Sequence, residues 1–326
     1  MILVSAPLRV SFFGGGSDIE SYYENHGGAF LSLTIDSRIY LTVNQTTNNE
    51  VKVHYSTTEL VKDASELAHP LIREALLMYN KKNNIEIGSF ADMPTIGTGL
   101  GSSSTFSVAL IGALKTLAGQ AFSSRDLAEE ACHLEINRCG ERIGKQDQYA
   151  AAFGGLNFYE VDTSGRIKVS KNLVTRDIEN ILEDSIYLVN TGVKRSASSL
   201  LKHQIKNLKN SKSSLDNQAR LVEMAYKAYN YLVEGDLDQF GQLLHESWLC
   251  KKNISGLISD NSLDDIYTED LNAGAIGGKL LGAGGGGFFL FYVLKKNRKK
   301  FETHFQGKFR KIRISQQGFM VNYEAK

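Results

Sequence analysis

Residues 94–106 read PTIGTGLGSSSTF, and this stretch constrains the fold more than any other. Gly97, Gly99 and Gly101 alternate with other residues, so the backbone there can bend sharply and approach another group with no Cβ in the way. Ahead of it, NIEIGSFADMP reads as a strand ending at Pro94. Behind it, SSSTFSVALIGALKTLAG is apolar on nearly every face and finishes on Gly119, the pattern of a buried helix. Strand, glycine loop and helix in that order put unpaired N–H groups and the positive end of a helix dipole at one place, which favours an anion. Ser102, Ser103 and Ser104 fall in the cap and first turn, where their hydroxyls can bond a phosphate or coordinate Mg²⁺.

Familiar phosphate motifs do not account for this loop. GxxxxGK[ST] is absent, as are HRD and DFG, so neither a P-loop nor a protein-kinase fold is indicated. GAGGGG at 282–287 matches GxGxxG in letters. It reads as following a helical segment and preceding a strand, the reverse of the dinucleotide fingerprint.

The chain of 326 residues is long enough for two domains. A net charge of +1 leaves no sequence-wide excess of cations to displace counterions, which argues against nucleic acid as a partner. No apolar run approaches the length of a membrane helix, and the start lacks a basic region and long apolar core, so no membrane partner is expected. Cys132, Cys139 and Cys250 fit no CxxC spacing and read as free thiols, so the expected location is cytoplasmic.

Strand alternation appears in AFLSLTIDSRIYLTVNQ and EVKVHYS, and HPLIREALLMYNKK reads as a helix. SSRDLAEEACHLEINRCG predicts one helix capped by Ser123 or Ser124 and stopped by Gly140. Near residue 180 the texture changes: a buried strand SIYLVNTG precedes helices over 196–209, 213–234 and 236–250. A helix around 264–276, the glycine burst and a strand FFLFYVL follow. The expected division is therefore 1–180 and 181–326. The basic segment 295–313 reads as a solvated helix followed by an edge strand, and Trp248 as a core residue.

Taken together, APLRV…GGGSD at 6–18, GLGSSS at 99–104 and LLGAGGGG at 280–287 resemble, in order, the three motifs of the GHMP kinases. That resemblance implies an α+β fold, with an N-terminal domain like ribosomal protein S5 domain 2 and a ferredoxin-like C-terminal domain. ATP and substrate would meet in the cleft between them. The middle motif (Gly97, Gly99, Leu100, Gly101, Ser102, Ser103, Ser104) would wrap the nucleotide phosphates, and the third would help close the cleft. CHLEINRCGERIGKQDQYAAAFGGL places Glu135 on a helix and Asp147 twelve residues on. By resemblance, Glu135 and Ser103 would hold Mg²⁺, Asp147 would face the acceptor hydroxyl, and Arg9 would offset charge beside the transferring phosphoryl group.

The acceptor is read from the same resemblance. Asp18, with Gly15, Gly16 and Ser17, matches the position where galactokinase-like members bind sugar hydroxyls; Gly284 and Gly285 of the third motif would border the substrate. GKQDQYAAAFGGLNF, NTGVKRSAS and LLHESWLCKKNIS resemble the heptose 7-phosphate kinases of the superfamily, which implies phosphorylation of an anomeric C1 hydroxyl to give a 1,7-bisphosphate. Lys145, Lys194 and Arg195 are then the candidates for the sugar's existing phosphate. An unphosphorylated sugar such as fucose or galactose, or a non-catalytic nucleotide-binding regulator, stays open. A small-molecule partner is expected, with the chain a monomer or homodimer.

Overall fold

Two sheets carry the elements of this computed structural model, which describes residues 1–94, 97–193 and 197–325, without the side chains of 197–199. The first sheet contains β1 (Ile2–Phe13), β2 (Gly28–Gln45), β3 (Val51–His54), β4 (Thr58–Val61), β5 (Ile85–Ala91), β6 (Leu156–Val161) and β7 (Ile167–Ser170). The second contains β8 (Ile186–Asn190), β9 (Ala275–Leu280), β10 (Phe288–Val293) and β11 (Arg310–Lys311). A last strand, β12 (Met320–Glu324), returns to the first sheet and pairs antiparallel with β1. The orders are β12-β1-β2-β5-β3-β4, with β6 on β2 and β7 on β6, and β11-β8-β10-β9.

β1 is buried along almost its whole length, because both of its faces are covered. Helix Ser102–Leu117 lies against β1 and β2, and helix Lys212–Glu234 also packs on these two strands. That is why Arg9 and Ser11 are buried although they alternate with Leu8, Val10 and Phe12. The second sheet carries helices Leu237–Lys252 and Asn261–Ala273, with Trp248 fully enclosed in its core. The observed architecture is α+β, two mainly antiparallel sheets each covered by helices, as expected.

Three local readings change. The expected helix around 264–276 ends at Ala273, because Gly274 takes φ +124° and the next six residues pair with β10 as β9. The glycine burst therefore links two antiparallel strands rather than following a helix. It is still not a dinucleotide fingerprint, since no helix follows it. The expected helix from Ser124 is α-helical to Cys132 and then widens to π-type hydrogen bonding over His133–Arg138, a local irregularity often found at functional sites. Its cap is Ser123, paired with Asp126 in a capping box.

The C-terminal segment crosses back over the division expected near 180, which we retain as a proposal for the other elements. The Arg38 guanidinium donates to Ser315 Oγ at 3.0 Å, to the Gln317 carbonyl at 3.1 Å and to the Gly318 carbonyl at 2.6 Å, tying this segment to β2. The basic segment forms helix Arg298–Phe305, held inward by Phe301, followed by the edge strand β11.

Candidate active site

The loop after β5 turns through left-handed backbone three times, with φ of +70° at Gly97 and +75° at both Gly99 and Gly101. Side chains at those positions would strain the turn, which explains the alternation of glycines. Gly101 is the N-cap of helix Ser102–Leu117, and no side chain fills the cap. The Arg9 N–H donates to the Leu100 carbonyl at 3.0 Å, pinning the loop to β1. From the second sheet, Phe288 N–H donates to the Thr98 carbonyl at 3.2 Å, and Gly282, in the loop before that strand, packs directly on Gly99. The middle and third glycine motifs thus converge between the two sheets.

Beside the loop lies a cavity of about 360 Å³ lined by residues of both domains. Gly97, Gly99, Leu100, Gly101, Ser102, Ser103 and Ser104 all border it, as do Arg9, Glu135 and Asp147. Arg9 is 4% exposed and grips Asp147 with both ends of its fork, Nε to Oδ1 at 2.7 Å and Nη2 to Oδ2 at 2.6 Å. Its remaining nitrogen donates to the Gly99 carbonyl at 2.5 Å. One guanidinium therefore sets the carboxylate and the loop relative to each other.

Glu135 is 1% exposed. It accepts from Ser103 Oγ at 2.9 Å and from Gln148 Nε2 at 2.5 Å. Burial pushes its carboxyl up to about 7; the bonds from Ser104, Gln148 and Ser103 oppose the rise and Asp147 adds to it. A buried carboxylate and a hydroxyl at hydrogen-bond distance, both bordering the cavity, are hard oxygen donors and suit Mg²⁺ with phosphate oxygens completing its shell. The residues present fit that ion.

The expected substrate positions divide. Gly15, Gly16 and Asp18 line the cavity. Asp18 Oδ2 accepts from Gln146 N–H at 2.8 Å and Oδ1 from Gly16 N–H at 3.0 Å; burial is the main cause that raises its pKa. Ser17 does not line the cavity: its hydroxyl donates to the carbonyls of Gly14 at 2.7 Å and Ala29 at 3.1 Å, which pins the turn. Lys145 does not line it either. Its ammonium donates to the Gly165 carbonyl at 2.8 Å and lies 3.8 Å from Glu129, because it precedes helix Gln146–Phe153 on the outer side of the turn. Gly284 and Gly285 face the chain at Ile258, whose carbonyl accepts from Gly285 N–H at 2.9 Å; Gly282 and Ala283 border the cavity in their place. Lys194 and Arg195 lie outside the described residues.

Sequence reasoning missed several lining groups. Ser11 and Gln146 meet through a 2.7 Å bond, and Gln204, Lys251 and Lys279 also border the cavity. Ser11 sits within strand β1, and Lys279 within β9, a segment to which the sequence reading assigned no strand. Lys251 lies in the last turn of an amphipathic helix, where spacing alone does not give the direction of its head.

A glycine loop at a helix N-terminus, with a buried arginine–carboxylate pair on the same cavity, suits phosphoryl transfer, and comparison with known proteins defines that class. Residues 58–155 match the GHMP kinases N terminal domain and residues 228–304 the GHMP kinases C terminal. The chain is 30% identical over 304 residues to a D-glycero-alpha-D-manno-heptose 7-phosphate kinase of Campylobacter jejuni, covering 90% of this chain and 89% of that one. It is 27% identical over 312 residues to a bifunctional fucokinase/GDP-fucose pyrophosphorylase of Arabidopsis thaliana, covering 86% of this chain and 29% of that protein. A solved D-glycero-D-manno-heptose 1-phosphate kinase from Bacteriodes thetaiotaomicron superposes with a TM-score of 0.82 over 100% of both chains at 24% identity, a likeness of fold. The chain belongs to the GHMP kinases, and it is a kinase. Among the described residues no helix is long and apolar enough to cross a membrane.

Proposed function

We propose that the chain transfers the γ-phosphoryl group of ATP to the anomeric C1 hydroxyl of D-glycero-D-manno-heptose 7-phosphate, giving the 1,7-bisphosphate for nucleotide-activated heptose. The observation that carries the reading is the bidentate grip of Arg9 on Asp147 at the mouth of the glycine loop. The heptose 7-phosphate kinase relative supports the acceptor.

In this reading the loop amides of 97–104 bind the phosphates, and Ser103 and Glu135 hold Mg²⁺. When bound, that ion neutralises charge on the phosphate oxygens. Arg9 fixes the Asp147 carboxylate toward the acceptor hydroxyl and holds the loop through Gly99. Asp147 orients the hydroxyl and finally takes its proton. Phosphoryl transfer passes through a loose transition state, so orientation and charge matter more than a strong base. Asp18, with Gly15 and Gly16, accepts from sugar hydroxyls. We place the enzyme in the cytoplasm, as a monomer or homodimer.

A kinase for an unphosphorylated sugar is the second reading, favoured by the position of Lys145 off the cavity and by the fucokinase relative. Turnover measured on heptose 7-phosphate, heptose, fucose, galactose and mevalonate separates the two. Preference for heptose 7-phosphate is expected; equal turnover of the unphosphorylated heptose sinks the first reading.

A further inference from the structure

Two ammonium groups enter the cavity from the C-terminal domain with no carboxylate in salt-bridge range among the described residues. Lys279, on β9, is 4% exposed, and its Nζ donates to the Phe12 carbonyl at 2.8 Å. Lys251, in the last turn of helix Leu237–Lys252 and half-buried, donates to the Gly282 carbonyl at 2.5 Å and reaches the Leu280 carbonyl at 3.4 Å. Their backbone partners tie them to different parts of the cavity wall. Phe12 adjoins Ser11 and the Gly14–Gly16 turn, while Gly282 packs on Gly99 of the loop.

We propose that Lys251 and Lys279 form a phosphoryl-binding subsite at the domain seam, completing with C-terminal cations a site that the N-terminal domain begins. Each ammonium has three N–H donors and no acceptor capacity, and the backbone carbonyls leave donors over on both. Buried cations need an opposite charge. Arg9 supplies none and its own charge is matched by Asp147, so an anion in the cavity is what the arrangement lacks. Consistent with this, burial and then Arg9 push Lys251 down to about 8, and burial followed by Lys251 and Arg9 pushes Lys279 well below its ordinary range. The phosphoryl dianion could come from either substrate of the proposed reaction: the group in transit from ATP, or the acceptor's own phosphate. Only this choice of source rests on the kinase reading above.

The test uses the full chain with Lys251→Met and Lys279→Met, which keep the aliphatic stems and remove the charge. Inorganic phosphate is titrated by calorimetry and by thermal melting, against chloride at equal ionic strength. The wild type is expected to bind phosphate and melt higher with it. Each variant is expected to bind it at least tenfold more weakly, yet to melt no lower than wild type without phosphate, because a buried repulsion has been removed. Backbone struts alone predict the opposite, a lower melting temperature and an unchanged phosphate response, and that result overturns the proposal. So does a wild type that does not bind phosphate. Should Lys279→Met fail to fold, Lys251→Met decides in the same way.

Kinetics then separate the sources. A kcat at least a hundredfold lower, with KM for ATP and acceptor within twofold, assigns the group in transit. A KM at least tenfold higher for the phosphorylated acceptor alone assigns the acceptor's phosphate. Wild-type kinetics in both variants overturn the subsite. If no sugar is turned over by the wild type, the kinase acceptor is wrong and the phosphate titration still decides the lysines.

Discussion

Arg9 on β1 and Asp147 at the head of helix Gln146–Phe153 stand 138 residues apart in the chain and meet through two parallel bonds of 2.7 and 2.6 Å. Asp147→Asn puts an amide N–H against the guanidinium and removes the proton acceptor. We expect kcat to fall about 10²–10⁴-fold, with little change in KM for ATP because the loop is untouched. Near-normal turnover removes Asp147 from its role.

Arg9→Lys keeps the charge and loses the fork. A single ammonium cannot hold both Asp147 oxygens and the Gly99 carbonyl, so carboxylate and loop lose their common reference. Steady-state kinetics should show a lower kcat together with a higher KM for ATP. A variant indistinguishable from wild type in both constants shows that charge alone suffices there.

Ser103→Ala removes the hydroxyl that donates to Glu135 at 2.9 Å. The Mg²⁺ concentration for half-maximal rate is expected to rise, and Ser103→Thr to restore it in part. An unchanged Mg²⁺ titration leaves Ser103 with only its hydrogen bond to Glu135.

Gly99→Ala asks a side chain to adopt φ +75° and places its Cβ 2.5 Å from the Leu281 carbonyl of the other domain. The strain alone costs about 1–3 kcal/mol, and relief requires the seam to open. A lower Tm and weaker ATP binding are expected together. Full stability with normal nucleotide affinity contradicts the close approach of the two glycine clusters.

Asp270, on helix Asn261–Ala273 and 2% exposed, is pushed up to about 8 by burial, with Glu269 adding to the shift. Its ordinary value is 3.8, so between about 4 and 8 the folded chain holds a proton that the unfolded chain has released. Stability contributed by the protonated form is therefore lost as pH rises through that window. Asp270→Asn should raise Tm most at pH 8 and above and leave it near wild type at pH 4. A Tm difference that does not change with pH contradicts the shift.

The loop at 97–104 was legible because it is local. Alternating glycines ahead of an apolar helix dictate their own conformation, and the observed φ values at Gly97, Gly99 and Gly101 follow from residue type, although the cap is Gly101 and not the expected serine. Arg9, Glu135 and Asp147 were legible through their motifs. The strand Ala275–Leu280 was not: the expected helix ran to about 276, and only pairing with β10 makes the segment a strand. Lys251 and Lys279 were illegible for a related reason, since a lysine's sequence neighbours do not say whether its head turns into a cavity or into water.

What the sequence determined by itself is what short-range rules encode: a left-handed glycine loop, the helix behind it, and the family whose motifs recur in order. Tertiary structure alone decided which charges face one another. It took Lys145 off the cavity, brought Lys279 into it and returned the last strand to β1. Those outcomes depend on contacts between segments far apart in the chain, where burial and electrostatics act through distance in space and leave no periodic mark on the residues nearby.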